Sequence, residues 1–355
     1  MPTQLDHYRL LGRSGLRVSP LSLGTMTFGV SADAWGTSEA DIKSMVGQYI
    51  ERGGNFIDTA NFYGGAGGSE RALAPLIREH RERVVLATKY SLSMRPKDPN
   101  GAGNHRKNLV QSVEASLKRL ETDYIDLLYL HVWDGHTPVD EVLRGFDDLI
   151  RAGKVVYAGI SDTPAWQVSR MNAIADLRGW SAFVALQIPY SLAERTVERE
   201  YMPMALEMGL GVLPWSPLAG GVLSGKYSRA DLQPATGKFD LTSRKTMNVA
   251  TGRLSEHTLA IAEEVKAIAG ELGVSPSQIA LAWTLLNPAV ASPIIGARTM
   301  QQFEDNLGAL NIAFDDAQIA RLDAVSRIPM DFPHSMLNGP MAGALFGGAK
   351  IAPRH

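Results

Sequence analysis

Eight times along this chain a short apolar run stops at a polar residue or a glycine and gives way to a segment with helical spacing, and that alternation leaves few folds open. The runs lie near residues 21–24, 55–57, 84–88, 125–130, 155–160, 183–186, 211–214 and 291–295. They end, in order, at Thr25, Asp58, Lys89, His131, Ser161, Gln187, Ser216 and Gly296. The intervening segments carry helix signals. Ser38 and Asp41 form a capping-box pattern before Ile42, Met45, Val46, Tyr49 and Ile50. Further helices are expected from Ser69, over 138–153, over about 194–208, near 299–311 and over 315–325. Ser275-Pro-Ser-Gln278 reads as a second capping box with proline at the first helical position. A strand that returns through a helix to its neighbour builds a parallel sheet, so eight such units predict a (β/α)8 TIM barrel, with a doubly wound sheet as the competing topology. Two short strands around Gly12 and Gly15 add an N-terminal hairpin at 8–20. No linker divides the 355 residues, so one domain spanning 1–355 is expected, with extra helices and loops and a tail at 326–355.

In such a barrel the residues that end the strands converge on one face. Asp58, Lys89 and His131 end successive strands, and Tyr63 follows Asp58 in a loop rich in glycine and asparagine. A free phenol titrates near pH ~10, and a nearby ammonium stabilises its phenolate. A carboxylate holds the lysine charged, and histidine can donate a hydrogen bond to a carbonyl oxygen. Together they can deliver a proton to an oxygen as charge develops there. Singly, each has a plainer reading: Asp58 as a helix cap, Tyr63 as loop packing, Lys89 as a solvated lysine, His131 as a core histidine. The chain has no cysteine, no His-x-x-x-His pair and no paired-carboxylate motif, so no metal or covalent route is apparent. A proton donor alone does not reduce a carbonyl, and the missing hydride calls for a cofactor. With 35 basic and 37 acidic residues, nothing points to nucleic acid or an anionic membrane. The first residues lack the basic and apolar regions of a signal peptide and no run reaches membrane-spanning length, so a cytoplasmic location is expected.

Several segments, taken in order, make a pattern: Gly54-Asn-Phe-Ile-Asp-Thr-Ala-Asn-Phe-Tyr-Gly, Ala87-Thr-Lys, Tyr124-Ile-Asp-Leu-Leu-Tyr-Leu-His, Gly159-Ile-Ser, Gln187, Pro214-Trp-Ser-Pro-Leu-Ala-Gly-Gly, and Pro293-Ile-Ile-Gly-Ala-Arg leading to Asn306. The sequence resembles the aldo-keto reductase family from about residue 8 to 325. The resemblance implies reduction of an aldehyde or ketone by NADPH, with NADH as an alternative. It implies Tyr63 as proton donor, Lys89 and Asp58 as the pair that tunes it, and His131 as the group orienting the carbonyl. It also implies a cofactor site: Ser161 and Gln187 at the nicotinamide carboxamide, Trp215 stacked on the ring, and Ser216, Pro217, Leu218, Gly220, Gly221 and Lys226 around the pyrophosphate. Gly296, Arg298, Gln302, Asp305 and Asn306 would hold the adenosine end, with Arg298 on the 2′-phosphate, and Gly24 and Thr25 complete the set. Backbone N–H groups in barrel loops after the seventh and eighth strands are frequent phosphate sites, which agrees.

Two residues depart from the family pattern. Asp162 stands where an asparagine is usual, and a carboxylate can accept from a carboxamide but cannot donate to it. Gln302 replaces an arginine found in many relatives. A near-match to a phosphate-binding P-loop, Gly220 to Lys226, fails because Tyr227 stands where Ser or Thr is required. Phe28, Trp35 and Trp133 follow strand ends and are candidates for the substrate pocket, with core or rim packing as the alternative. Specificity would come from loops near 90–106, 222–254 and the tail after 326, the tail contributing to the substrate pocket and the first loop a candidate lid. The competing function is a cofactor-binding regulatory subunit of a membrane channel; a hydrolase or isomerase barrel without nicotinamide is a third possibility. The physiological substrate and the oligomeric state are not encoded in any motif.

Overall fold

Strand residues alternate between faces, and here both faces are covered by protein. In β6 (Ile125–Leu130), Leu127 and Tyr129 point into the barrel while Leu128 and Leu130 pack outward against helices. In β5 (Val85–Tyr90), Val85 and Ala87 point inward and Leu86 outward. The computed structural model describes residues 4–30, 35–232, 243–337, 339, 342–345 and 347–349. The barrel strands are β3 (Ser22–Gly24), β4 (Phe56–Asp58), β5, β6, β7 (Val155–Ser161), β8 (Phe183–Pro189), β9 (Gly211–Trp215) and β10 (Ile294–Ile295). They pair in parallel in the order β10-β3-β4-β5-β6-β7-β8-β9. The seam between β9 and β10 is closed by a parallel bridge from Val212 to Val290, with Val212 N–H donating to Ala289 and Ala291 N–H donating to Val212. With helices between the strands, this is the (β/α)8 barrel.

The hairpin forms from β1 (Arg9–Leu10) and β2 (Arg17–Val18), paired antiparallel. Leu11 and Val18 are fully buried and join Phe56, Val85, Leu127 and Leu213 in the inner cluster, so the hairpin stoppers the amino-terminal end of the barrel. A cavity of about 460 Å³ beside it, lined by Arg9, Gly12, Gly209 and Asn287 among others, has Arg9 as its one ionisable lining residue among the described residues, and that side chain already donates to the Val290 carbonyl.

Several boundaries differ from the sequence reading. The helix expected over 194–208 is two pieces, a 3-10 turn at Thr196–Glu198 and a helix at Tyr201–Met208. Pro203 lies in the first turn of the second piece and has no N–H to continue a helix from upstream. The last strand shrinks to Ile294–Ile295, because Pro293 cannot donate to a ladder and only its carbonyl is used, by Ser22 N–H. The second capping box is half made: Ser275 accepts from Gln278 N–H, but the Gln278 side chain donates to Asp305 instead. The helix near 299 runs Met300–Leu307 and tightens to a 3-10 turn at Gly308–Asn311. A helix at Arg244–Ala250, inside the loop expected at 222–254, had no sequence signal strong enough to mark it. Of that loop, residues 233–242 lie outside the described residues.

Candidate active site

Asp58, Lys89, His131 and Gln187 each lie two residues beyond an inward-pointing residue, namely Phe56, Ala87, Tyr129 and Ala185. The two-residue period therefore turns all four side chains into the barrel, one layer above the apolar plug. Asp58 and Lys89 are almost wholly buried there, as is Gln187. They form the floor of a cavity of about 600 Å³ that opens at the carboxyl ends of the strands.

The floor is a continuous hydrogen-bonded array. Lys89 Nζ donates to Asp58 Oδ1 at 2.5 Å, to the Thr59 carbonyl at 2.9 Å and to the Tyr63 hydroxyl at 3.4 Å. An ammonium has three donors, and all are engaged. Gln187 Nε2 reaches across the barrel from β8 to donate to Asp58 Oδ2 at 2.8 Å, so both carboxylate oxygens are held. Burial favours the neutral amine of Lys89, but Asp58 and then Tyr63 outweigh it and its pKa rises. The Tyr63 phenol is also pushed up, first by burial, although Lys89 pulls the other way. The ordinary state of Tyr63 is thus the neutral phenol. The His131 ring packs edge-on against Tyr63 with centroids 5.9 Å apart. Burial, reinforced by the Lys89 charge, lowers its pKa to about 3, so the ring is neutral at physiological pH. Its Nδ1 is buried without a partner.

Every residue given above a cofactor role lines this cavity. Ser161 Oγ is buried there and unpartnered. Asp162 accepts a hydrogen bond from Trp215 Nε1 at 3.1 Å. The loop after β9 holds Ser216 and Ala219 at φ 52° and 50° and Gly220 and Gly221 at 65° and 90°. Such left-handed turns aim successive backbone N–H groups into a concavity suited to an anion. At Gly220, with φ 65°, a Cβ would sit 2.4 Å from Asn248 Oδ1, so a side chain there would be strained and would displace Asn248.

The cavity mouth is cationic. Lys226 is lowered in pKa by burial and by its neighbours Arg244 and Arg298, and Arg244 is lowered by burial and by Arg253 and Arg298. Among the described residues none of these four side chains forms an ion pair. Arg244 lies 5.6 Å from the Trp35 ring and Arg253 5.5 Å from the Trp215 ring. Sequence reasoning missed Arg244 and Arg253, which come from the insertion and are brought to the mouth by tertiary packing. It also missed Phe62, Leu92, Ser224 and Ser277 in the lining. Gln302 caps the Arg298 N–H with its side-chain oxygen, and Asp305 binds Ser275 and Gln278, so both have work inside the protein beside the cavity.

Of the three aromatic candidates only Trp35 lines the cavity. Phe28 is fully buried in the cluster between barrel and helices, where its side chain packs with Leu23, Leu73 and their neighbours. Trp133 packs, partly buried, against the other large cluster. No described residue after Asn306 lines the cavity; the described tail instead lies along 195–200, where Arg199 donates to the Pro329 carbonyl. The loop over 90–106 is fastened at its base by a reciprocal pair, Asn104 N–H to Asp134 and Asp134 N–H to Asn104.

The family model for the aldo/keto reductase family matches residues 20–327. A norsolorinic acid reductase of Emericella nidulans is 37% identical over 349 residues, covering 95% of this chain and 86% of its own. An uncharacterized oxidoreductase of Bacillus subtilis is 38% identical over 330 residues, 90% of this chain and 95% of its own. A probable voltage-gated potassium channel subunit beta of Oryza sativa subsp. japonica is 38% identical over 310 residues, 86% and 91% respectively.

Proposed function

The chain belongs to the aldo/keto reductase family, and from that premise we propose that it reduces an aldehyde or ketone with hydride from NADPH. The observation that carries the reading is the saturated lysine: Lys89 joins Asp58 to the Tyr63 hydroxyl at the floor of a cavity whose mouth is lined with cations. The residues fit a nicotinamide dinucleotide. Ser161 Oγ is a buried hydroxyl in want of a partner, the 216–221 loop is a cradle, and the mutual crowding of Lys226, Arg244 and Arg298 calls for an anion. In this reading Ser161 and Gln187 hold the carboxamide and Trp215 the ring. The 216–221 loop with Lys226 takes the pyrophosphate, and Gly296, Arg298, Gln302 and Asn306 take the adenosine end. Four cations at the mouth favour the phosphorylated dinucleotide over NADH.

When bound, the cofactor supplies the hydride. The protein's part is the proton. Tyr63, neutral as a phenol, donates its proton to the carbonyl oxygen as negative charge develops there. The Lys89 ammonium stabilises the phenolate left behind, and Asp58 keeps Lys89 charged. His131, neutral and beside Tyr63, is placed to donate a hydrogen bond to the same oxygen and fix its direction. The small-molecule carbonyl would enter past Trp35, Phe62 and Leu92. The single-domain organisation over 1–355 is part of this proposal.

The test follows NADPH absorbance against a panel of aromatic and aliphatic aldehydes and ketones. Wild type should turn over, and Tyr63→Phe should lose at least about 10²-fold in kcat while still binding NADPH. Equal activity in Tyr63→Phe would sink the mechanism. A second reading, a cofactor-binding channel subunit, is favoured by the Oryza relative's name alone. Tight NADPH binding with no turnover across the panel would support it over the enzyme.

A further inference from the structure

The charges at the floor do not cancel. Asp58 is neutralised by Lys89 at 2.5 Å. Tyr63 and His131 are uncharged, as is Tyr201, which comes up from the helix after β8 within electrostatic range of Asp162. That leaves Asp162. Its carboxylate stands at the end of β7 next to Ser161, faces the cavity, and is met by one side-chain donor among the described residues, Trp215 Nε1. No described cation pairs with it; Lys89 acts on it at a distance but is already bound to Asp58. Asp162 is exposed, so the cavity wall beside Ser161 carries one solvent-facing carboxylate with no paired cation among the described residues.

We infer that Asp162 sets the redox-state preference of the cofactor site, binding the oxidised dinucleotide more tightly than the reduced one. The inference rests on the nicotinamide placement proposed above. Hydride donation converts a neutral dihydronicotinamide ring to a cationic one, so a fixed carboxylate beside the ring favours the product form through a direct charge interaction. The two cofactor forms share their phosphates and adenosine, so the cationic mouth treats them alike. The discrimination comes from the charges beside the ring, where Asp162 is unpaired and Arg253, 5.5 Å from the Trp215 ring, opposes it. The effect pulls the reaction on the enzyme toward the alcohol. The same carboxylate fastens Trp215, so the ring-stacking surface and the charge are held as one unit.

Asp162→Asn isolates the charge. Asparagine tolerates the positive φ of 36° at this position, and its amide oxygen can still accept from Trp215 Nε1. Dissociation constants for NADP+ and NADPH are measured by calorimetry in both proteins. In wild type NADP+ should bind the more tightly, and the variant should lose about tenfold of that preference, equivalent to about 1.4 kcal/mol. A wild-type titration run toward acid supplies the same test without a mutation. Burial, against the Trp215 hydrogen bond and Lys89, raises the Asp162 pKa, so protonation should erode the NADP+ preference in wild type and leave the variant's ratio flat. If both proteins bind both forms with the same ratio, or the ratio moves equally with pH in both, the role given to Asp162 is overturned and the nicotinamide site stands. If wild type binds neither form, the nicotinamide site itself is overturned and this inference falls with it.

Discussion

At the scale of single residues, the site is a lesson in how burial redirects a charge argument. Lys89 does pull the Tyr63 phenol toward ionisation, yet desolvation wins and keeps the proton on, which is the state a donor needs. His131 is the converse: burial strips its charge. Its native pKa of about 3 lies below the unfolded value of 6.5, so below pH 6.5 the unfolded chain takes up a proton that the native state refuses. Stability from this residue is intact above pH 6.5 and is lost as pH falls toward the native pKa. His131→Gln cannot titrate, so between pH 7 and pH 5 wild type should lose about 2 kcal/mol more than the variant in urea unfolding. Equal losses would mean the ring is protonated in the native state. Asp58, Tyr63, Lys89 and His131 were legible as a group because strand parity and strand ends are both written in the sequence. Arg244 and Arg253 were not, since they reach the mouth from an insertion whose path no periodicity dictates. Phe28 misled because the turn after β3 buries its side chain behind the sheet instead of over the cavity.

Among elements, what was readable were those whose signals are local. The strands near 56, 85, 125, 155, 183 and 211 fall where apolar runs predicted; Ser38 caps its helix, but Asp41 accepts from the Ser38 hydroxyl and leaves the expected capping box half made. Where a partner comes from far along the chain, local reading fails. Gln278 leaves its capping box for Asp305, and the last strand is cut short by Pro293 while residues 289–291 do the closing. The 216–221 loop is the element on which the proposed cofactor site depends most. Its bend favours glycine at 220, where a Cβ would push aside the Asn248 side chain that donates to the Gly220 carbonyl. Gly220→Ala should therefore distort the loop and weaken NADPH binding by at least about tenfold, since misplaced backbone donors forfeit charge-assisted hydrogen bonds worth ~1.5–3 kcal/mol each. Calorimetry on the folded variant, with circular dichroism to confirm the barrel, checks this; unchanged affinity would remove the loop from the site. The loop over 90–106 is clasped at Asn104 and Asp134, and its glycine- and proline-rich middle is tied as well, by Met94 N–H to the Gly101 carbonyl and Arg95 to Gln111.

For the molecule as a whole, a barrel stoppered at one end by a hairpin and open at the other has a single functional face. No helix among the described residues is long and apolar enough to cross a membrane. The strand order, the closure at Val212 and Val290, and the buried polar floor together place every chemically committed group at that one opening. The formal net charge is -2, yet Lys226, Arg244, Arg253 and Arg298 gather at the rim. Seen from a distance the protein is weakly repulsive to a polyanion; seen along the axis of its opening it is attractive. If the proposed dinucleotide site holds, its ligand would be drawn in by a local field that the isoelectric point conceals, and capture, unlike retention, is a matter of long-range force. In stopped flow the association rate constant for NADPH should fall as salt rises while the dissociation rate constant changes less, and Arg244→Ala should flatten the first dependence. An association rate indifferent to ionic strength would mean that the rim holds its ligand without guiding it in.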